Sequence, residues 1–150
     1  MGRQKPKGKA RYVIAADGSP GSRRALDVGV TLARGADASV EVVVVEDFAA
    51  VARAMRPATN FPRAMAKVRE GDEALVVRGR MRASRAGVEA SHRVLRGSDA
   101  ACEIVRRAQR TGASVIVVGS RGRSPLRKVA LGSVAEKVAR LAPCTVVVVR

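Results

Sequence analysis

Residues 115–118 read Val-Ile-Val-Val, an apolar run with no polar face, and Gly119-Ser120-Arg121-Gly122 follows at once. A strand that is apolar on both sides must be covered on both sides. Helices flanking a parallel sheet meet that condition, whereas a half-solvated antiparallel sheet does not. The rest of the chain repeats the theme. An apolar run at 12–16 stops at Asp17-Gly18, and Ser19-Pro20 then has the form of a helix N-cap and first helical residue. Ala25, Leu26, Val30 and Ala33 share one helical face that ends near Gly35, and 40–45 is a second strand. Between Glu46 and Gly87 the pattern is weaker. Pro57 and Pro62 interrupt it, and a helix is expected afterwards to about Ala86. A third strand is expected at 90–95, ending at Gly97. A helix capped by Ser98 or Asp99 follows, with Ala101, Ile104, Val105 and Ala108 facing inward and Gly112 closing it. A last helix over 134–141 stops before Pro143, and 145–149 is the final strand. Strand and helix alternate throughout, so the expectation is an α/β domain with a mostly parallel five-stranded sheet.

A length of 150 residues suits one domain. Residues 1–11 carry five positive charges, no negative ones and no apolar periodicity, and are expected to form a flexible basic tail before a domain at 12–150. No apolar run approaches the roughly 18 residues of a membrane span, and the N-terminus lacks the apolar segment of a signal peptide. Cys102 and Cys144 show no metal-ligand spacing and read as small core residues of a reducing compartment. These points predict a cytoplasmic protein with no membrane partner. The 29 Lys and Arg against 13 Asp and Glu give a net charge of +16, which attracts polyanions without choosing among them.

The segment after 115–118 carries the chemistry. Gly119-x2-Gly122 is followed by nine residues and then by Gly132-Ser133. Glycines at 119 and 122 let backbone N–H groups turn toward an anion, and Gly132 allows close approach just before a helix. Ser133 and Glu136 have the spacing of a capping box, which places a helix N-terminus and its free donors there. Arg121, Arg123, Arg127 and Lys128 lie in or beside the intervening loop and supply positive charge. Open parallel sheets bind ligands beyond the carboxyl ends of their strands, where this loop falls. A phosphate cradle is the reading these residues support.

The ungapped pattern Gly119-x2-Gly122-x9-Gly132-Ser133 resembles the ATP-binding signature of the universal stress protein (UspA-like) family. The Asp17-Gly18-Ser19 turn and the ending Pro143-Cys144-Thr145-Val146-Val147-Val148-Val149 resemble it too. Ser114, where the family usually has Asp, and the absence of Pro after Gly97 depart from it. The resemblance implies a Rossmann-like fold of the adenine nucleotide alpha-hydrolase type, with helices on both faces of a sheet ordered 3-2-1-4-5. It also implies that Asp17 and the backbone of Ala15 contact adenosine and that Val45 packs on the adenine. Gly119, Gly122, Gly132 and Ser133 would hold ribose and phosphates, with Arg121, Arg123 and Val134 beside them. The implied ligand is ATP, with Mg accompanying the phosphates.

Neither GxxxxGK[ST] nor a GxGxxG after the first strand is present, and no GxSxG elbow occurs. The lone histidine, His92, falls in an expected strand far along the chain from the loop. The reaction class is therefore nucleotide holding, with slow hydrolysis or autophosphorylation at most. An alternative is a nucleic-acid- or polyanion-binding module using the basic tail and an arginine-rich surface. Three aromatic residues in the chain offer few stacking platforms, so such binding would be weak and salt-sensitive. In a 3-2-1-4-5 sheet the all-apolar 146–149 lies at an edge without Lys, Pro or a bulge to protect it. A homodimer through Thr145–Val149 is the expected remedy, and the resemblance implies the same pairing.

Overall fold

The computed structural model describes residues 8–47, 52, 60–122 and 131–150. Five strands, β1 (Arg11–Ala15), β2 (Ser39–Asp47), β3 (Ala90–Gly97), β4 (Val115–Gly119) and β5 (Thr145–Val149), form one sheet. Its order is β3-β2-β1-β4-β5, and every neighbouring pair is parallel. Among the described residues the helices with defined bounds are α1 (Pro20–Gly35), α2 (Phe61–Arg85), α3 (Ala100–Thr111) and α4 (Ser133–Leu141). The expected α/β order is therefore the observed one, with all pairs parallel rather than most.

The period of two along the strands divides the core. Ile14, Val42, Val44 and Val117 point to one face with Ala25, Val30 and Ala33 of α1 and Val76 and Ala83 of α2. Val13, Val43, Ile116 and Val118 point to the other, with Ala101, Ile104, Val105 and Ala108 of α3 and Ala135 and Val138 of α4. β1, β2 and β4 are apolar on both sides because both sides are covered.

Two buried charged residues of β2 break that rule, Glu46, which meets Arg96 and Arg69, and Glu41. Glu41 lies in the middle of β2 with its side chain 4% exposed, on the face covered by α3. The Arg107 guanidinium of α3 meets it with two hydrogen bonds, Nε at 2.8 Å and Nη2 at 2.5 Å, so the charge is neutralised where it is buried. That pairing holds the Arg107 guanidinium charged well above its ordinary range.

Several boundaries differ from expectation for local reasons. Arg11, expected in the tail, opens β1 and pairs with Ser39, and Lys9 meets Asp37 at 3.0 Å. Residues 1–7, the rest of that tail, lie outside the described residues. β2 runs on to Asp47 because β3 continues beside it to Gly97. Pro62 does not interrupt a helix. It sits in the first turn of α2, where its missing N–H costs no intrahelical bond, and Asn60 caps that turn by accepting from the Arg63 N–H at 3.2 Å. Asp99, not Ser98, caps α3.

Candidate functional site

β1 leads to β2 on one side of the sheet, and the connection from β3 through α3 returns to β4 on the other side of β1. At this switch point the carboxyl ends of β1, β2 and β4 open into a cleft of about 520 Å³.

Its first wall is the turn after β1. Asp17 Oδ1 accepts the Ser19 N–H at 2.9 Å, and Ser22 Oγ accepts the Asp17 N–H at 3.3 Å. Ser19 Oγ caps α1 by accepting the Ser22 N–H at 3.1 Å. Gly18 takes a φ of +81° between them, a conformation that Cβ disfavours. The turn is thereby fixed from both ends, and the Asp17 carboxylate is fixed with it.

The glycines at and beyond the end of β4 serve close approach rather than left-handed backbone, since Gly119, Gly122 and Gly132 all lack a positive φ. A Cβ on Gly119 would stand 2.7 Å from the carbonyl carbon of Gly21, and one on Gly21 would stand 2.8 Å from the Arg121 carbonyl oxygen. The first turn of α1 and the end of β4 therefore touch backbone to backbone. A Cβ on Gly122 would lie 2.8 Å from Asp17 Oδ2, which brings the carboxylate against the departing loop.

That loop returns to its own start. The Gly132 N–H donates to the Ser120 carbonyl at 2.7 Å, and the Ser120 N–H donates to the Val149 carbonyl at 2.7 Å. Residues 123–130 lie outside the described residues, and with them the positions expected of Arg123, Arg127 and Lys128.

α4 begins differently from the capping box read in the sequence. Gly132 is the N-cap, no side chain caps the helix, and Ser133 is the first helical residue. The Ser133 hydroxyl therefore does not serve the helix. The amides of Ser133, Val134 and Ala135 precede the first intrahelical bond, from the Glu136 N–H to the Gly132 carbonyl, and all three residues line the cleft. This end of the cleft offers amide donors and the positive end of a helix dipole.

Ala15, Asp17, Val45, Gly119, Arg121, Gly122, Gly132, Ser133 and Val134 all line this one cleft. Sequence reasoning missed Ser22, Asp47, Ala100 and Ile104, which line it too. Asp47 was hidden by ending β2 at 45. Ile104 was read as core, and its place beside the cleft follows only once α3 is laid across the end of β2. Val43, Val45 and Ile104 give the cleft an apolar slot suited to a flat ring. The amides at α4 suit an anion. Among the described residues no group of three metal-ligating side chains occurs.

The wall formed by α3 and α4 is tied by charge. Lys137 of α4 donates to Asp99 Oδ2, while Asp99 Oδ1 accepts the Cys102 N–H at 3.0 Å. The Lys137 bond, then the Cys102 amide, hold the Asp99 carboxyl down at about 2. His92 stands apart from the cleft on β3, with Nε2 3.3 Å from Glu73 Oε1 of α2. Cys102 and Cys144 are both half-buried free thiols, and burial pushes the Cys144 thiol up.

A family model for the universal stress protein family matches residues 10–150. Universal stress protein YxiE of Bacillus subtilis is 32% identical over 146 residues, covering 93% of this chain and 98% of that protein. A protein of the same family from Burkholderia pseudomallei superposes with a TM-score of 0.73 at 28% identity, covering 93% of this chain and 95% of that one. A universal stress protein in complex with cAMP gives 0.68 at 24% identity, over 95% of this chain and 97% of that one. One from Archaeoglobus fulgidus in complex with dAMP gives 0.66 at 21% identity, over 95% and 98%.

Proposed function

The chain belongs to the universal stress protein family, and from that premise we propose that its cleft binds an adenine nucleotide, ATP with Mg²⁺ accompanying the phosphates. The observation that carries the reading is the convergence of nine separately expected residues on one cleft at the switch point. The adenine lies in the apolar slot against Val45 and Ile104. Asp17 and the Ala15 backbone meet the ribose side, and Asp17 is the carboxylate nearest the loop for the cation. Gly122, Ser133 and Val134 offer amides to the phosphates, Gly119 and Gly132 permit the close approach, and Arg121 and Arg123 supply charge. Relatives of the same fold crystallised with cAMP and with dAMP support an adenine ligand.

The cleft holds nucleotide rather than consuming it. A general base beside the phosphates would be needed for fast hydrolysis, and the single histidine stands on the far strand. Binding instead fixes the walls of the cleft relative to one another, so nucleotide occupancy sets the surface that a partner meets. Such a regulator belongs in the cytoplasm, where it samples the cell's ATP pool.

Thermal unfolding with and without ligand tests the reading. Mg-ATP at about a hundred times its Kd should add ~2.7 kcal/mol of stability, raising Tm by several degrees for a domain of this size. Inorganic tripolyphosphate should do much less. Equal shifts from the two would mean that charge alone binds, and the reading would fail.

A further inference from the structure

A second cavity of about 380 Å³ lies on the opposite border of the sheet from β5, between the outer edge of β3 and α3. Its wall is a helical stripe, Glu103, Arg106, Arg107 and Arg110, at spacings that share one face. Its floor is β3 from Arg93 to Arg96, an edge strand paired only with β2.

The arginines are held in place. Arg107 and, at 3.9 Å, Arg93 converge on the buried Glu41, and Arg106 meets Glu103 at 2.5 Å. Arg110 has no acidic partner among the described residues. Arg96 meets the buried Glu46 at 3.1 Å, so five arginines against three carboxylates leave two positive charges uncompensated, and Arg93 and Arg106 are each more than half exposed. The carboxylates orient the guanidinium groups toward the groove while the outer N–H donors stay available.

We infer that this groove binds the phosphodiester backbone of nucleic acid without reading its sequence. Arg106 and Arg110 stand about 6 Å apart along the helix axis, close to the roughly 6.8 Å axial rise over two nucleotide steps of one strand. Protein partners need an apolar, charge-poor centre. The only apolar residues here, Val94 and Leu95, are packed into the two cores. Nucleic-acid interfaces are instead polar and strongly positive, as this groove is. It holds no aromatic side chain, so bases have nothing to stack on and the backbone is what it can grip. The net charge of +16 adds long-range attraction, but the groove fixes where contact is made.

The test is fluorescence anisotropy of a labelled mixed-sequence DNA duplex of about 20 base pairs, titrated with full-length protein across a salt series. The Arg106→Gln/Arg110→Gln variant changes two exposed residues to another good helix former, and circular dichroism confirms that it folds. It should bind at least ~10-fold more weakly, with a salt slope smaller by about 2. Lys5→Gln/Lys7→Gln should change affinity less than the groove variant does. Polyglutamate at equal charge should compete poorly. Unchanged affinity in the groove variant, a larger loss from the lysine variant, or equal competition by polyglutamate would each overturn the proposal. Because Mg-ATP stabilisation of the groove variant is measured separately and should match wild type, its outcome does not depend on the nucleotide cleft.

Discussion

Three glycines and one serine at and beyond the end of β4 illustrate how far residue types alone can be read. The glycine spacing locates the loop of the proposed phosphate cradle, but the reason for each glycine is a close contact that no one-dimensional pattern displays. Gly119 is small because Gly21 touches it, and Gly122 because Asp17 does. Gly119→Ala should therefore cost about 1–3 kcal/mol of stability through overpacking against fixed backbone, measured by urea unfolding. Gly122→Ala meets only the end of a side chain, so it should spare stability and weaken nucleotide binding by displacing the Asp17 carboxylate. Ser133 was legible as a residue near this cleft and misread as a cap, because the S-x-x-E spacing is the same whether the serine stands at N-cap or one residue inside. With Gly132 as N-cap, Ser133→Ala should leave unfolding free energy within ~0.5 kcal/mol while reducing affinity for Mg-ATP. A loss of a full capping energy, about 1 kcal/mol, would restore the capping-box assignment.

At the level of elements, the sequence was most informative where burial is two-sided and least where partners decide. The strands and the faces of α1 and α3 follow from apolar periodicity. The path of Glu46–Gly87 does not, since α2 has a weak apolar stripe and its start depends on Asn60 and Pro62 acting together. Glu41 could not be understood before α3 was in place, because its partner lies 66 residues away. Arg107→Ala leaves that carboxylate buried with only Arg93 nearby, and should destabilise by roughly 3 kcal/mol, whereas Glu41→Leu/Arg107→Leu should recover most of the loss. The Asp99–Lys137 link between α3 and α4 gives a pH signature. Its folded pKa of about 2 lies below the ordinary 3.8, so its contribution is fully present above about pH 4 and fades as pH falls through 2. Asp99→Asn should therefore narrow the stability difference from wild type across that window. A difference that stays constant from pH 5 to pH 2 would show that the link carries no proton-dependent stability.

For the whole molecule, the sheet order leaves β5 at one border with Thr145 exposed and Val146 to Val149 only partly buried. Exposed Val28 and Leu32 of α1 and Val134 and Leu141 of α4 add further apolar surface. A two-fold pairing of β5 strands would satisfy the open edge and close the assembly. Multi-angle light scattering at micromolar concentration should give about twice the 15.8 kDa chain mass; a species at the chain mass would contradict the dimer. The Val149 carbonyl faces β4, so by alternation the Val148 N–H faces the open side, and Val148→Pro should shift the population to monomer by removing that donor. Charge is the property the sequence displays most loudly and explains least, since +16 has no address until β3 and α3 bring Arg93, Arg106 and Arg110 together. On the two proposals made above, the molecule presents two separate anion sites, a cleft for a nucleotide and a groove for a polymer backbone.

The most direct test of the cleft is an amide NMR titration of the isotopically labelled protein with Mg-ATP. The account predicts saturable shifts concentrated at Ala15–Asp17, Val45, Gly119–Gly122 and Ser133–Ala135, with the amides of Arg106 and Arg110 unmoved. Shifts confined to Arg93, Arg106 and Arg110, or spread evenly over basic surface without saturation, would contradict it.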